Sequence, residues 1–464
     1  MDESSLKPDQ LLCEYNGVID IADLDNIVPD TIYLSKLHIE VCTKLASTMK
    51  LSEDEYHLLT NILIKHSNKT KTITALVSLI KAGKIKPIAI KSGYMTSSIL
   101  EKHIDLQGIN IVNDKSDNGH FIDLSHFKKI FVKLVLHRIY RLLFRKIACT
   151  SAIRSWVEIS QIMYGDKYDS SLILIYPFVL NIKRHIRYIK HCFGNYKSAT
   201  LCGLQYSLID YMKLLISSRS KDLHCVRFEL NAYKKHAAEL GQIGVKHLYT
   251  SDEFEAGAFV MVKALQDCGA EVTNTAHGMS FGCPYVNYET FYVYNNAQKD
   301  YYSFKSEQVN YKVTPRSNTD PVNCVLDNAE KKKKVIIFIE ANYERLGMRY
   351  YTNLENRAVD ILREFSLKYS VDTYIKIHPN RKVPVDLNQF SIAGVKVIRH
   401  LSEIKHAEPI FVSFYSAAYY DFRQLGPFIF IYDGFVWPEE VYGEDGLVCA
   451  PLEEIHTEIL KYLN

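Results

Sequence analysis

Three short groups of residues are the ones best suited to chemistry. They are His277-Gly278 in NTAHG, Lys376-Ile377-His378-Pro379 in KIHP, and Ser413 and Ser416 in VSFYSAAYYDFRQLG. Asp433-Gly434 closes another apolar run, PFIFIYDG. Lysine, histidine and serine donate charge or hydrogen bonds to phosphate oxygens, and a helix N-terminus adds N–H groups and a dipole that favour an anion. A histidine with an ordinary pKa can take a proton from a hydroxyl near neutral pH. Asp252 and Glu253, after KHLYTS, are carboxylates with the same capacity. The chemistry expected is the binding of a diphosphate or monophosphate beside a group that can take a proton. Its base is His277 or the Asp252/Glu253 pair, and Lys376, His378, Ser413 and Ser416 hold the phosphate. Side chains and helix dipole then do the work of a metal, so neither a metal nor a resident cofactor is expected, only a nucleotide-linked co-substrate.

Other phosphate devices are missing from the sequence. There is no G-x-x-x-x-G-K-[ST] and no G-x-G-x-x-G after a strand, which excludes a P-loop and a dinucleotide fingerprint. Asp23-Leu24-Asp25 is a lone D-x-D, a pattern too short to establish a metal site.

The elements that must position these residues follow from periodicity. Apolar runs alternate with helical stretches from about residue 170. Ser171–Phe178, Ser198–Leu204, Gly244–Glu253 and Ala270–Gly278 read as strands. Residues 305–334 are polar, contain Pro315 and Pro321, and end in Lys331–Lys334. The alternation then restarts with strands at Val335–Glu340, Asp372–Pro379, Val395–His400, Pro409–Ser416 and Pro427–Gly434. The expectation is an α/β chain of two doubly wound parallel-sheet lobes facing a cleft, with ligand contacts at the carboxyl ends of strands. Its divisions are a mixed N-terminal extension (1–165), a first lobe (166–310) and a second lobe (311–464), which the resemblance given below makes the acceptor-side and the donor-binding lobe.

The extension includes HFKKIFVKLVLHRIYRLLFRKI at 126–147, a helical stretch with seven basic residues and no acid. Such a helix either packs an apolar stripe on a core or lies on an anionic membrane surface.

Composition bounds the rest. The chain has 464 residues, 47% of them hydrophobic and 23% charged, so it is globular and long enough for two or three domains. A net charge of +3 gives no general reason to expect nucleic acid as a partner, and Lys331–Lys334 is read as a solvated run. The ten cysteines include no C-x-x-C pair, which fits a reducing compartment. The polar N-terminus does not resemble a signal peptide, and no apolar run of about 18 residues is present, so the expected location is the cytoplasm. Thirty-two tyrosines are an excess, and Tyr415, Tyr419, Tyr420 and Tyr432 fall near the candidate phosphate site, where rings could stack on a base or sugar.

The order of H-G, K-x-H-P, a Ser-containing strand-to-helix turn and a G-x-P-x-I/F strand resembles the GT-B glycosyltransferases of bacterial surface-polysaccharide (capsule and lipopolysaccharide) assembly. The resemblance covers about residues 170–450. It is greatest to the group of polysialyltransferases, capsule Kdo transferases and CDP-glycerol glycerophosphotransferases. It implies two Rossmann-like lobes and an inverting, metal-independent glycosyltransferase. The implied donor is a cytidine nucleotide such as CMP-Kdo or CMP-sialic acid, and the acceptor is lipid-linked or an oligosaccharide. His378, Pro379 and the Ser413/Ser416 turn would hold the donor phosphate, Asp433 would lie on the donor side, and Asp421 would stand where the family carries Glu. A peripheral position on the inner face of the membrane, through residues 126–147, would follow. The sialyltransferases' D/E-D/E-G of the first lobe occurs here only as Glu444-Asp445-Gly446, in the second. A CDP-polyol phosphotransferase, a UDP-sugar epimerase of the same two-lobed plan and a non-catalytic carbohydrate-binding relative are the alternatives.

Overall fold

A computed structural model describes residues 10–13, 17–20, 31–81, 83, 85–93, 100, 109–114, 122, 124–154, 167, 169–176, 182–195, 197–216, 221–251, 255–276, 285–303, 308–314, 333–340, 349–378, 395–404, 407–432 and 438–463. The chain divides into two compact units. One comprises 1–24, 33–293 and 299–312; the other comprises 25–32, 294–298 and 313–464.

The first unit holds two sheets. A mixed sheet of order β2-β1-β3-β4 is built from β1 (Gln10–Cys13), β2 (Gly17–Asp20), β3 (Pro87–Gly93) and β4 (Asn110–Asp114). Helices α1 (Thr31–Ser47), α2 (Glu53–His66) and α3 (Asn68–Lys81) lie between β2 and β3 in the chain. The start of α2 is set by a capping box, with Ser52 Oγ accepting from Glu55 N and the Glu55 carboxylate accepting from Ser52 N.

The second sheet is larger. It runs β11-β10-β9-β8-β5-β6-β7, from β5 (Ser151–Arg154), β6 (Leu172–Ile175), β7 (Ala199–Leu201), β8 (His247–Thr250), β9 (Glu271–Thr275), β10 (Thr290–Val293) and β11 (Asn310–Val313). The pairs from β10 to β7 are all parallel. Counted from β5, the order is 3-2-1-4-5-6 with one further edge strand, the doubly wound arrangement. Strand β5 lies ahead of residue 166, so the division expected at 165 falls within this sheet. Only four residues long, β5 carries too little pattern to stand out beside the basic helix before it.

That helix is α4 (Leu124–Leu142), which lies along α7 (Lys221–Gln242) through Lys133–Glu229 at 3.1 Å and an Arg141–Glu239 pair. Gly203 permits the approach of α4, because a Cβ there would sit 2.1 Å from the His137 carbonyl oxygen. Helices α5 (Ile182–Gly194), α6 (Leu208–Ile216) and α8 (Ala258–Gln266) complete the cover. Ion pairs Arg227–Glu55 at 2.6 Å and Lys263–Asp54 at 3.0 Å fasten α2 to α7 and α8. The N-terminal helices therefore belong to this unit's body.

The second unit is one parallel sheet, β14-β13-β12-β15-β16-β17. Its strands are β12 (Lys333–Ile339), β13 (Thr373–Lys376), β14 (Val395–Ile398), β15 (Ala407–Ser413), β16 (Phe428–Tyr432) and β17 (Val448–Pro451). This is again 3-2-1-4-5-6. Strands β12 and β15 are buried over most of their length, as a sheet covered on both faces requires. Helix α9 (Asn296–Ser303) straddles the unit boundary. Helices α10 (Arg349–Tyr369), α11 (Ala418–Phe422), α12 (Pro438–Tyr442) and α13 (Ile455–Leu463) follow. Leu362 and Phe365 of α10 and Ile455 and Ile459 of α13 share a core with Ile336, Ile410 and Ile429 of the strands. Among the described residues, no helix is long and apolar enough to cross a membrane, and the described cysteines are free thiols.

Gly426 allows the chain to enter β16 hard against β15: a Cβ there would lie 2.1 Å from the Pro409 carbonyl oxygen. Gly426→Ala is expected to cost about 1–3 kcal/mol of stability, read as a lower urea midpoint with an unchanged denaturant slope.

Candidate functional site

In a sheet of order 3-2-1-4-5-6, the first and fourth strands are neighbours whose connections leave toward opposite faces, and a crevice opens at their carboxyl ends. In the second unit these strands are β12 and β15. Ser413, the last residue of β15, is paired with Ile339 and is fully buried. Its Oγ donates to the Ile339 carbonyl at 3.0 Å. A serine hydroxyl has one proton, and here it is committed to that carbonyl. As placed, Ser413 braces the two strands, which differs from the phosphate-donor role expected of it.

Ser416 is held differently. Its Oγ accepts from Ala418 N at 3.2 Å. Its backbone N–H donates to the Tyr442 hydroxyl at 2.8 Å, and that hydroxyl donates back to the Ser416 carbonyl at 3.0 Å. Tyr442 is fully buried, so the turn after β15 is clamped by a single side chain. Helix α11 is five residues long, and its N-cap, Ala417, makes no side-chain cap bond. The helix ends at Phe422, so few aligned peptides contribute a dipole. The donors at this turn are local.

Lys376 ends β13 and is half-buried. Burial holds its pKa below the ordinary lysine range, while the carboxylates of Asp421 and Glu403 act in the opposite sense. Asp421 thus bears electrostatically on Lys376. The His378 backbone N–H donates to Glu340 Oε2 at 2.9 Å, and the Glu340 N–H donates to the Lys376 carbonyl at 3.1 Å. Buried Glu340 immediately follows β12 and fixes the loop that carries His378. Sequence reasoning passed it over; the signal was an acid closing the apolar run VIIFIE.

Tyrosine stacking on a nucleotide is not what two of the four rings do. Tyr419 and Tyr420 are buried and pack on one another and on Tyr442. Tyr419 donates to Glu444 Oε2 at 2.9 Å, and Arg423 Nη1 donates to both oxygens of that carboxylate, at 2.7 and 3.0 Å. The glutamate of the E-D-G triplet is therefore a structural acceptor. Pro379 and Asp433, and in the first unit His277, Asp252 and Glu253, lie outside the described residues, as does Asp23-Leu24-Asp25. Among the described residues, no group of three or more His, Cys, Asp or Glu is arranged to hold a metal.

The same topological position in the first unit falls between β5 and β8. Arg154 ends β5 opposite Thr250, and its side chain is almost fully buried. Its guanidinium lies 4.7 Å from the centroid of the Tyr176 ring. Burial works against the charge, but Tyr176, Tyr233 and Glu255 outweigh it and hold the pKa above the ordinary arginine value. Tyr233 donates to Glu255 Oε1 at 2.9 Å. Arg154 was not among the expected site residues, because β5 itself was not recognised. Beside it, Cys202 Sγ lies 3.0 Å from His236 Nε2, and burial together with Arg154 and Arg141 pushes His236 down to about 3.

No protein-family model matches the chain, and no curated protein matches it. Among solved structures, the chain is similar to the Methanocaldococcus jannaschii UDP-GlcNAc 2-epimerase in complex with UDP-GlcNAc and UDP. Identity is 11%, coverage is 60% of this chain and 88% of that one, and the TM-score is 0.37. It is also similar to S. aureus MnaA in a structure with UDP, at 9% identity over 68% of this chain and 88% of that one, with a TM-score of 0.35. The fold assignment rests on the strand orders above and not on these likenesses.

The buried histidines set an acid limit. Burial first, with Lys71 adding to it, holds His38 of α1 at about 4, and His236 stands at about 3. Both stay neutral in the fold and gain a proton on unfolding below about pH 6.5, so the unfolded chain binds more protons there and stability falls as pH drops from about 6.5 toward 4. At pH 5 each accounts for about 2 kcal/mol, and the urea midpoint is expected to fall accordingly between pH 7 and pH 5. An unchanged midpoint would contradict their neutral burial.

Proposed function

We propose that the chain is a GT-B-type glycosyltransferase of surface-polysaccharide synthesis. It moves a sugar from a nucleotide-activated donor, CMP-Kdo or CMP-sialic acid in type, to a lipid-linked or oligosaccharide acceptor. The observation that carries this reading is the juxtaposition of Lys376, the Glu340-anchored His378 loop and the clamped Ser416 turn at the carboxyl end of a sheet whose order reverses between β12 and β15. Anionic ligands of such sheets bind at that place.

In the proposed reaction, His277 or the Asp252/Glu253 pair removes the acceptor hydroxyl proton as the sugar–phosphate bond breaks. The electron pair of that bond leaves with the nucleotide phosphate. Lys376, His378 and Ser416 meet the charge that develops there, and Asp421 works against the effect of burial on the Lys376 ammonium. Reaction with inversion and without a metal is part of the proposal. So is a position at the inner face of the membrane, with α4 against anionic lipid.

A thermal-shift series with CMP, CDP, UDP and GDP tests the reading. One nucleotide is expected to stabilise the protein selectively, and Lys376→Ala to abolish the shift without altering the melting of the unliganded protein. No shift with any nucleotide would refute it. Turnover is expected to fall about 10²–10⁴-fold in His277→Ala if that histidine is the base. It is also expected to survive EDTA; activity lost to EDTA and restored by manganese would exclude the metal-free mechanism.

A further inference from the structure

We infer that the first unit carries a three-helix platform, formed by α4, α5 and α6, that docks on an anionic lipid bilayer. This deepens the membrane contact proposed above for α4 alone and rests on it, but it does not depend on which sugar chemistry the protein performs.

Each of the three helices has one face accounted for by the fold and an apolar face left over. On α4, Ile130, Leu134 and His137 are buried, whereas Phe131, Val135, Ile139 and Leu142 are exposed, Leu142 at 87%. At 3.6 residues per turn, the exposed four fall within an arc of about 80°. On α5, Tyr188 and Cys192 are buried, and Ile182 (79%), Ile186 and Phe193 are exposed within about 40°. On α6, Leu214 is buried, and Leu208, Ile209, Met212, Leu215 and Ile216 (78%) are exposed. Singly exposed apolar residues are ordinary, but aligned stripes on three helices are not.

The helices are neighbours. Phe131 of α4 meets Tyr211 of α6 with ring centroids 5.9 Å apart. Tyr140 of α4 hydrogen-bonds His185 of α5, and Arg145, just beyond α4, lies 5.5 Å from the Phe193 ring of α5.

Charge selects the occupant. Neither α4 nor α5 contains an acidic residue. Exposed Lys129 and Arg138 lie on α4, and exposed Lys183, Arg187 and Lys190 lie along one side of the α5 stripe. On α6 the single acid, Asp210, accepts from Asn231 of α7 at 3.3 Å. A cationic rim around an apolar face fits the headgroup boundary of a negatively charged bilayer, with side chains entering by about 5–10 Å. A second copy of this chain would bring the same positive charge to the same surface, and like charges would oppose the pairing.

Flotation of the full-length protein with vesicles tests the inference. Binding is expected to phosphatidylcholine vesicles containing phosphatidylglycerol, weakening with added salt, and not to phosphatidylcholine alone. The triple variant Lys183→Glu/Arg187→Glu/Lys190→Glu is expected to lower the partition coefficient by about 100-fold or more. Ile182→Ser/Phe193→Ser/Ile216→Ser is expected to lose binding while keeping the wild-type melting temperature and nucleotide-induced shift. If substitutions on α4 abolish binding and those on α5 and α6 leave it intact, the single-helix contact stands and the platform is overturned. Failure of the wild type to float overturns both while leaving the nucleotide reading standing. A dimer in solution that the α5 and α6 substitutions dissociate without any change in vesicle binding overturns the platform alone.

Discussion

The parallel pairing of β12 with β15 is the constraint on which the candidate site depends. It runs over seven residue pairs, from Lys333 opposite Ala407 to Ile339 opposite Ser413. Because these strands are first and fourth in sequence order, the chain must leave their carboxyl ends toward opposite faces. The register then decides what meets there. Ser413 reaches the Ile339 carbonyl, Glu340 emerges beside the end of β13 to hold the His378 backbone, and Ser416 arrives where Tyr442 can clamp it. A slip of one residue would turn Ser413 to the opposite face and separate these contacts together.

The first unit obeys the same topology with different chemistry. Where the second unit braces its reversal with a serine hydroxyl, the first buries a guanidinium. An arginine in that position needs electron-rich and anionic neighbours to stay charged, and Tyr176, Tyr233 and Glu255 provide them. The tyrosine excess acquires a partial physical account from this. Phenol rings serve both units as side chains that fill a core and still deliver one hydroxyl to a half-buried carboxylate or a backbone carbonyl, as Tyr233, Tyr419 and Tyr442 do.

The second unit was the more legible half. Its two central strands, β12 and β15, are seven-residue runs that are mostly apolar, and the expected positions at Val335–Glu340, Asp372–Pro379, Val395–His400 and Pro427–Gly434 overlie β12, β13, β14 and β16. Burial on both faces of a parallel sheet writes such runs directly into composition. The first unit was harder because its buried surfaces are not purely apolar. Helix α7, 22 residues long, passed unnoticed: Asp222, Glu229, His236 and Glu239 lie on its buried side and break the hydrophobic period. On α4 the apolar residues divide between two faces, Ile130 and Leu134 inward and Phe131, Ile139 and Leu142 outward, which the helical spacing of 126–147 does not separate. At the site, residue types were legible but the direction of each hydrogen bond was not. Ser413 and Ser416 are alike in sequence, and only the register separates a brace from a turn residue.

Residues 294–298 belong to the second unit although they directly follow β10 of the first. Asn295 Nδ2 donates to the Tyr420 hydroxyl at 2.8 Å and to the Val441 carbonyl at 3.0 Å, and a Cβ on Gly443 would come within 3.3 Å of the Ala297 backbone nitrogen. The second unit is consequently discontinuous in sequence. A fragment cut at the polar stretch 305–334 would leave Tyr420 and Val441 without their amide partner. During synthesis these five residues would emerge well over a hundred positions before Tyr420, Val441 and Gly443, which meet them. The unit is therefore completed only after α11 and α12 have been made, long after its own early segment.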